Sequence, residues 1–176
     1  MEINVAQLLK SPIGTTRNYE VSGEVDIFGD GCASLVGGEV SLMRTDRSIL
    51  VRGTLSTGAE VTCSRCLTVF GSPLVLNIEE EYFPTVDVVS GNPVSVPDEA
   101  GCFTIDKQHM LDLTEAIRQY ALLVLPMKPL CRSDCAGLCR ECGLNLNLGQ
   151  CGCPPKLVDP RWAVLTEIDT KQKGMK

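Results

Sequence analysis

The chain has one histidine, His109, and no apolar run longer than the eight residues YALLVLPM, Tyr120 to Met127. It also has no basic stretch at its N-terminus and no glycine-rich loop of the kind that cradles phosphate. A lone histidine just ahead of a predicted helix, with no Ser or Cys near it in sequence, offers no nucleophile–base pair. It reads as a surface or packing residue. An apolar run of that length falls far short of the roughly 20 residues that span a bilayer. MEINVAQLLKSPIG carries an acid at Glu2 and no basic region, so it does not read as a secretory signal. The expected compartment is the cytoplasm, with no membrane contact. Thiols stay reduced there, and clustered cysteines bind metal or do redox chemistry rather than form disulfides.

What is present suits one domain with a tail or a small appendage: 176 residues, 44% of them hydrophobic, enough for a core without a disulfide scaffold. The net charge of −6 hides an asymmetry: residues 1–119 carry −9 and residues 120–176 carry +3. The acidic part suits phosphate poorly, so nucleic-acid contact is expected from the C-terminal end or through a protein partner.

Several runs alternate with a period of two. Tyr19, Val21, Val25 and Ile27 share one face, as do Ile49, Val51 and Leu55, and again Leu74, Leu76, Ile78 and Tyr82. With glycine-bearing connections between them, these predict an antiparallel sheet with one wet face. MEINVAQLLK predicts one or two helical turns. Residues 84–104, rich in Pro, Gly and acids, predict a long mobile loop. Asp112 and Glu115 have capping-box spacing, so a helix is expected over about 112–125, with Leu113, Ile117, Tyr120 and Val124 as its apolar stripe and Pro126 as its stop. The fold class expected is α+β: an antiparallel sheet or half-barrel over 1–125 with one packed helix, then a cysteine-rich zinc-binding segment over 126–168. DPRWAVLTEI predicts a short closing helix, and 169–176 a disordered tail.

Eight of the ten cysteines fall in pairs: Cys63 and Cys66, Cys131 and Cys135, Cys139 and Cys142, Cys151 and Cys153. A CxxC pair offers two thiolates at a bite suited to a tetrahedral ion, and structural Zn²⁺ takes four such ligands. Cys139, Cys142, Cys151 and Cys153, separated by the loop GLNLNLGQ, can make a complete local site. By elimination Cys131 and Cys135 join Cys63 and Cys66, clipping the C-terminal segment to the sheet, although other pairings of the same eight thiols are geometrically open. Cys32 and Cys102 have no partners in sequence and read as filler. A thiol-redox or metal-handling role for the CxxC motifs is the rival reading. It is disfavoured because CSRC lies between two strands rather than at a helix N-terminus. The spacing matches no ferredoxin pattern.

CSRCL, then LPMKPLCRSDCAGLCRECGLNLN, CGC and DPRWAVL together resemble the YceD family, the large ribosomal RNA subunit accumulation proteins. The resemblance implies a role in accumulation or processing of large-subunit ribosomal RNA, hence in ribosome assembly, and no known catalytic activity. The partner it implies is ribosomal RNA or a large-subunit assembly particle. Lys128, Arg132 and Arg140, beside the cysteines in sequence, are the candidate RNA-binding residues. The acidic body is a candidate receiver for a basic ribosomal protein.

Overall fold

In the computed structural model, which describes residues 1–96, 101–154 and 161, nine elements follow one another. They are β1 (Glu2–Asn4), α1 (Ala6–Leu9), β2 (Thr16–Asp26), β3 (Ala33–Arg44), β4 (Ile49–Thr62), β5 (Val69–Pro84), β6 (Phe103–Ile105), β7 (Met110–Asp112) and α2 (Thr114–Val124). The strands make one seven-stranded sheet in the order β1-β7-β6-β5-β4-β3-β2. Every pairing is antiparallel except the short parallel contact of β5 with β6. The sheet curls into a half-barrel: Met1, at the head of β1, lies against Gly23 of β2, at the other end of the strand order.

The alternating residues all turn inward. Val21, Val25, Ile27, Ile49, Val51, Leu55, Leu74, Leu76, Ile78 and Tyr82 are buried. Burying one such side chain contributes about 1.5–3 kcal/mol relative to leaving it exposed, which is what fixes the register of long strands. Gly38 and Gly53 lie on the paired strands β3 and β4 at positions where a Cβ would meet neighbouring backbone. A Cβ at Gly53 would sit 2.6 Å from the Glu39 carbonyl oxygen and from Val40 Cγ1.

Local structure meets the sequence-based expectations in part and departs from them elsewhere. The first ten residues hold one helical turn, Ala6–Leu9, within the one or two expected, and Glu2–Asn4 ahead of it forms a strand that pairs with Met110–Asp112. The capping box does not form. Asp112 stays in β7 and accepts hydrogen bonds from the Thr114 amide (3.0 Å) and hydroxyl (2.6 Å), while Glu115 turns to Arg118 (3.0 Å). Ala116, Ile117 and Ala121 of α2, and Leu113 just before it, are buried, and α2 packs on β5 and β2, but Val124 is exposed. Within 84–104, Val86 bridges Pro93 and β6 begins at Phe103. The closing helix expected over DPRWAVLTEI, apart from Arg161, and the tail 169–176 lie outside the described residues.

β4 and β5 are the longest strands, 14 and 16 residues. At about 3.3 Å per residue the longer runs some 50 Å. Ala59 and Leu74 are their last buried contributions to the main core toward the turn. At the tip of this ribbon is a second, separate apolar cluster of Cys63, Cys66 and Cys135, with Phe70, Leu130, Cys131 and Leu138 packed on it.

Candidate metal centres

The β4–β5 turn is a tight knuckle. The Cys63 amide donates to the Thr68 carbonyl (2.9 Å), and the Leu67 amide donates back to the Cys63 carbonyl (3.0 Å). Closing it needs a left-handed residue, and Leu67 takes φ 58°. The same construction recurs downstream. There the Cys139 amide donates to the Leu144 carbonyl (2.8 Å), the Gly143 amide donates to the Cys139 carbonyl (3.0 Å), and Gly143 takes φ 73°. In each knuckle the two thiols of a CxxC turn to one side.

Each knuckle meets a second pair. The sulfurs of Cys63, Cys66, Cys131 and Cys135 all lie within 4.8 Å of one another, and so do those of Cys139, Cys142, Cys151 and Cys153. Of the pairings open to the eight thiols, the structure brings together the two expected sets. In the first tetrad Cys63 Sγ is 3.8 Å from Cys135 Sγ and Cys66 Sγ is 3.6 Å from Cys131 Sγ. A tetrahedral ion with metal–sulfur bonds of about 2.3 Å needs sulfurs about 3.8 Å apart. In the second tetrad Cys151 Sγ is 3.3 Å from Cys139 Sγ. The donor chemistry and spacing of both tetrads therefore fit a thiolate-bound metal ion.

The two differ in burial. Cys63, Cys66 and Cys135 are buried, whereas Cys142 is exposed and Cys139, Cys151 and Cys153 are half-buried. Both are electrostatically uneven. Backbone N–H groups, chiefly those of Cys131 and then Cys66, pull the Cys63 thiol down to about 6. Those of Cys142 and Glu141 do the same for Cys139, also to about 6. The Thr68 hydroxyl lowers Cys66. Burial pushes Cys131 up to about 12, and the neighbouring Cys142 thiol pushes Cys153 up to about 12. Four thiolates this close cannot all ionise without a cation among them, so protons leave the high members only when a metal replaces them.

Asparagines that the cysteine spacing gave no reason to single out surround the first tetrad. Asn147 Nδ2 donates to Cys135 Sγ (3.3 Å), and Asn145 Nδ2 donates to Thr68 Oγ1 (3.3 Å), which sits 3.4 Å from Cys66 Sγ. Arg65 Nη1 donates to the Cys135 carbonyl (3.0 Å). The only sequence signal was the polar repeat of GLNLN inside the loop between two cysteine pairs. Lys128, Arg132 and Arg140 are all exposed. Arg132 is nonetheless engaged, donating to Asn147 Oδ1 (2.6 Å) and pairing with Asp134 at 3.6 Å. His109 lies in the β6–β7 turn with φ 60°, and its Nδ1 is buried without a hydrogen-bond partner. A cavity of about 660 Å³, lined in part by Leu9, Arg44, Phe83 and Val88, holds neither a histidine nor a cysteine. Among the described residues no helix is long and apolar enough to cross a membrane.

A mostly-sheet half-barrel with one packed helix and a C-terminal cysteine cluster able to bind metal is thus the class of protein defined here. The family model described as Large ribosomal RNA subunit accumulation protein YceD matches residues 51–169, and the chain belongs to that family. An uncharacterized protein of Mycobacterium leprae is 33% identical over 121 residues, covering 68% of this chain and 52% of its own length. One from Mycobacterium tuberculosis strain H37Rv is 33% identical over 120 residues, covering 68% and 55%. A protein of Arabidopsis thaliana named large ribosomal RNA subunit accumulation protein YCED homolog 1, chloroplastic, is 25% identical over 154 residues, covering 76% and 47%. The chain spans about half the length of the curated relatives it matches. No solved structure matches. The family description names an accumulation role and no reaction.

Proposed function

We propose that the chain is a non-catalytic, cytoplasmic factor in large-subunit ribosome assembly, with a structural Zn²⁺ in each cysteine tetrad. The observation that carries the reading is the extent of the family match. It runs over residues 51–169 and so takes in all eight paired cysteines together with the ribbon that presents them. Four sulfurs per ion leave no open position for a substrate, which favours a structural role. Zn²⁺ would supply a tetrahedral cross-link. The residues do the rest: the two knuckles aim their amides at sulfur, and Asn147 donates to it.

In this reading the sheet domain ends near residue 125, and the zinc segment over 126–168 offers Lys128 and Arg140 to ribosomal RNA or to an assembling large-subunit particle. Arg132 contributes charge at the same face while holding Asn147. The acidic body is available to a basic ribosomal protein. The thiol-redox alternative draws its support from the less buried second tetrad, where Cys139 and Cys151 are 3.3 Å apart.

The test measures binding to large-subunit precursor particles across a salt series, for wild type and for Lys128→Ala/Arg140→Ala. Each lost phosphate contact should flatten the slope of log K against log salt by about 0.7–0.9, so two contacts remove roughly 1.5 units. Unchanged affinity and slope would remove the patch from the working surface. Metal analysis and thiol titration on the same samples address the zinc. Thiols that become reactive only on chelation, together with released zinc, support it. Folded, metal-free protein with one abnormally reactive thiol supports redox chemistry instead.

A further inference from the structure

All four cysteines of the first tetrad lie outside the strands and helices, and Cys135 belongs to the segment that follows α2. Its amide donates only to the Arg132 carbonyl at 3.2 Å. Its sulfur is nevertheless placed, and the group that touches it from outside the tetrad is Asn147 Nδ2. Asn147 belongs to the loop between Cys142 and Cys151, both members of the second tetrad. One side chain therefore ties the loop closed by the second tetrad to a sulfur of the first.

The amide has one satisfactory orientation. Its Oδ1 accepts from Arg132 Nη2 (2.6 Å) and from the Ala136 amide (2.8 Å), both of which can only donate. That turns Nδ2 toward Cys135 Sγ and toward Asn145 Oδ1, at 2.7 Å. Asn145 Oδ1 also accepts from the Asn147 amide (3.0 Å), locking the two side chains together. Every polar atom of Asn147's side chain is thus used. The backbone ties of the loop are local: the Cys139 amide donates to the Leu144 carbonyl (2.8 Å), the Leu146 amide to the Gly137 carbonyl (2.9 Å) and the Leu148 amide to the Asn145 carbonyl (3.0 Å), while Asn145 Nδ2 reaches Thr68 Oγ1 (3.3 Å).

We infer that Asn147 is a positioning residue that couples the two metal sites: an ion in the second tetrad closes the loop, places Asn147 on Cys135, and so tightens the first site. The inference rests on the zinc reading above. The physical reason is that a metal-bound thiolate keeps excess negative charge, which an oriented N–H stabilises. Without the second ion, ordering the loop is an entropic cost charged to the first site. The coupling is reciprocal by linkage, so an ion in the first tetrad strengthens the second by the same factor.

The test uses the full chain and zinc itself, in competition with a chelator. Disabling the second site with Cys142→Ser/Cys153→Ser should weaken the first by about 10-fold or more, the usual scale for loss of a group that orients a ligand. Disabling the first with Cys63→Ser/Cys131→Ser should weaken the second by the same factor. Asn147→Ala should weaken the first site and reduce that coupling to about twofold or less, a loss that general destabilisation would not produce. Independent sites, with each affinity unmoved by removal of the other, would overturn the inference, as would coupling that survives intact in Asn147→Ala. If a serine variant fails to fold, stepwise chelation of wild type answers the same question. Departure of one ion should speed departure of the other by about 10-fold, and two independent release rates refute it. A wild-type chain that takes up no zinc at either tetrad defeats the zinc reading itself, an outcome distinct from two loaded but uncoupled sites.

Discussion

Replacing Gly143 with leucine isolates backbone strain from every other contribution to the second tetrad. Gly143 takes φ 73°, and a Cβ built on it meets nothing within 4 Å, so the first added carbon overlaps no neighbour. What it does cost is the left-handed conformation, about 1–2 kcal/mol for an L-residue. This knuckle stands in a loop outside the sheet, so its closure is linked to metal binding and the strain appears as lost affinity. At about 1.4 kcal/mol per tenfold, the second site should bind zinc roughly 5- to 30-fold more weakly. The first knuckle supplies the control. Leu67 already takes φ 58° there, held by a hairpin that the sheet closes without metal. Leu67→Gly should therefore leave zinc affinity at the first site almost unchanged. Its effect falls on the sheet, where relief of strain is offset by about 0.5–1 kcal/mol of glycine entropy. Chelator competition, with cadmium NMR to separate the two sites, reads both variants. If Gly143→Leu binds as tightly as wild type, the knuckle geometry does not govern the site and the reasoning fails.

Two further expectations follow from the same structure. Zinc affinity should fall as pH falls, because the high Cys131 and Cys153 thiols must release protons to the solvent before they can bind. The fall should steepen below about pH 6, where Cys63 and Cys139 also take up protons. Retention of zinc through a pH series checks this, and a flat profile from pH 8 to about 5 would count against thiolate ligation. Gly53→Ala would place a methyl group 2.6 Å from the Glu39 carbonyl oxygen and Val40 Cγ1, between paired strands. It should cost about 1–3 kcal/mol in denaturant unfolding, and an unchanged midpoint would mean that β3 and β4 do not approach so closely.

The alternation of Ile49, Val51 and Leu55, and of Leu74, Leu76, Ile78 and Tyr82, was legible because period two with one buried face has few other solutions. The pairing of the cysteines was legible from spacing and elimination, and the structure brings those sulfurs together. Less could be read where tertiary contacts decide. Glu115 sits at capping-box spacing from Asp112, but β7 claims Asp112 and Arg118 claims Glu115. Val124 fits the helical stripe, yet it is exposed in the folded chain. Arg132 reads in sequence as a candidate RNA contact beside Lys128 and Arg140. Only the folded chain shows its guanidinium on Asn147. Asn145 and Asn147 act across the gap between the two tetrads, a relation no local pattern encodes.

The length of the β4–β5 ribbon has a mechanical consequence. The half-barrel and the sulfur-rich tip share the ribbon but have separate cores, one of aliphatic side chains and one organised on thiols. Fusion of the two failure modes is thereby avoided. With metal bound at the tip, heat or denaturant should act on the greasy interior, and a chelator or an acid on the tip. Stripping metal should unlatch the C-terminal segment and leave the curved sheet standing. The molecule can therefore lose its grip at one end without losing its shape at the other, as a clamp opens on an intact handle.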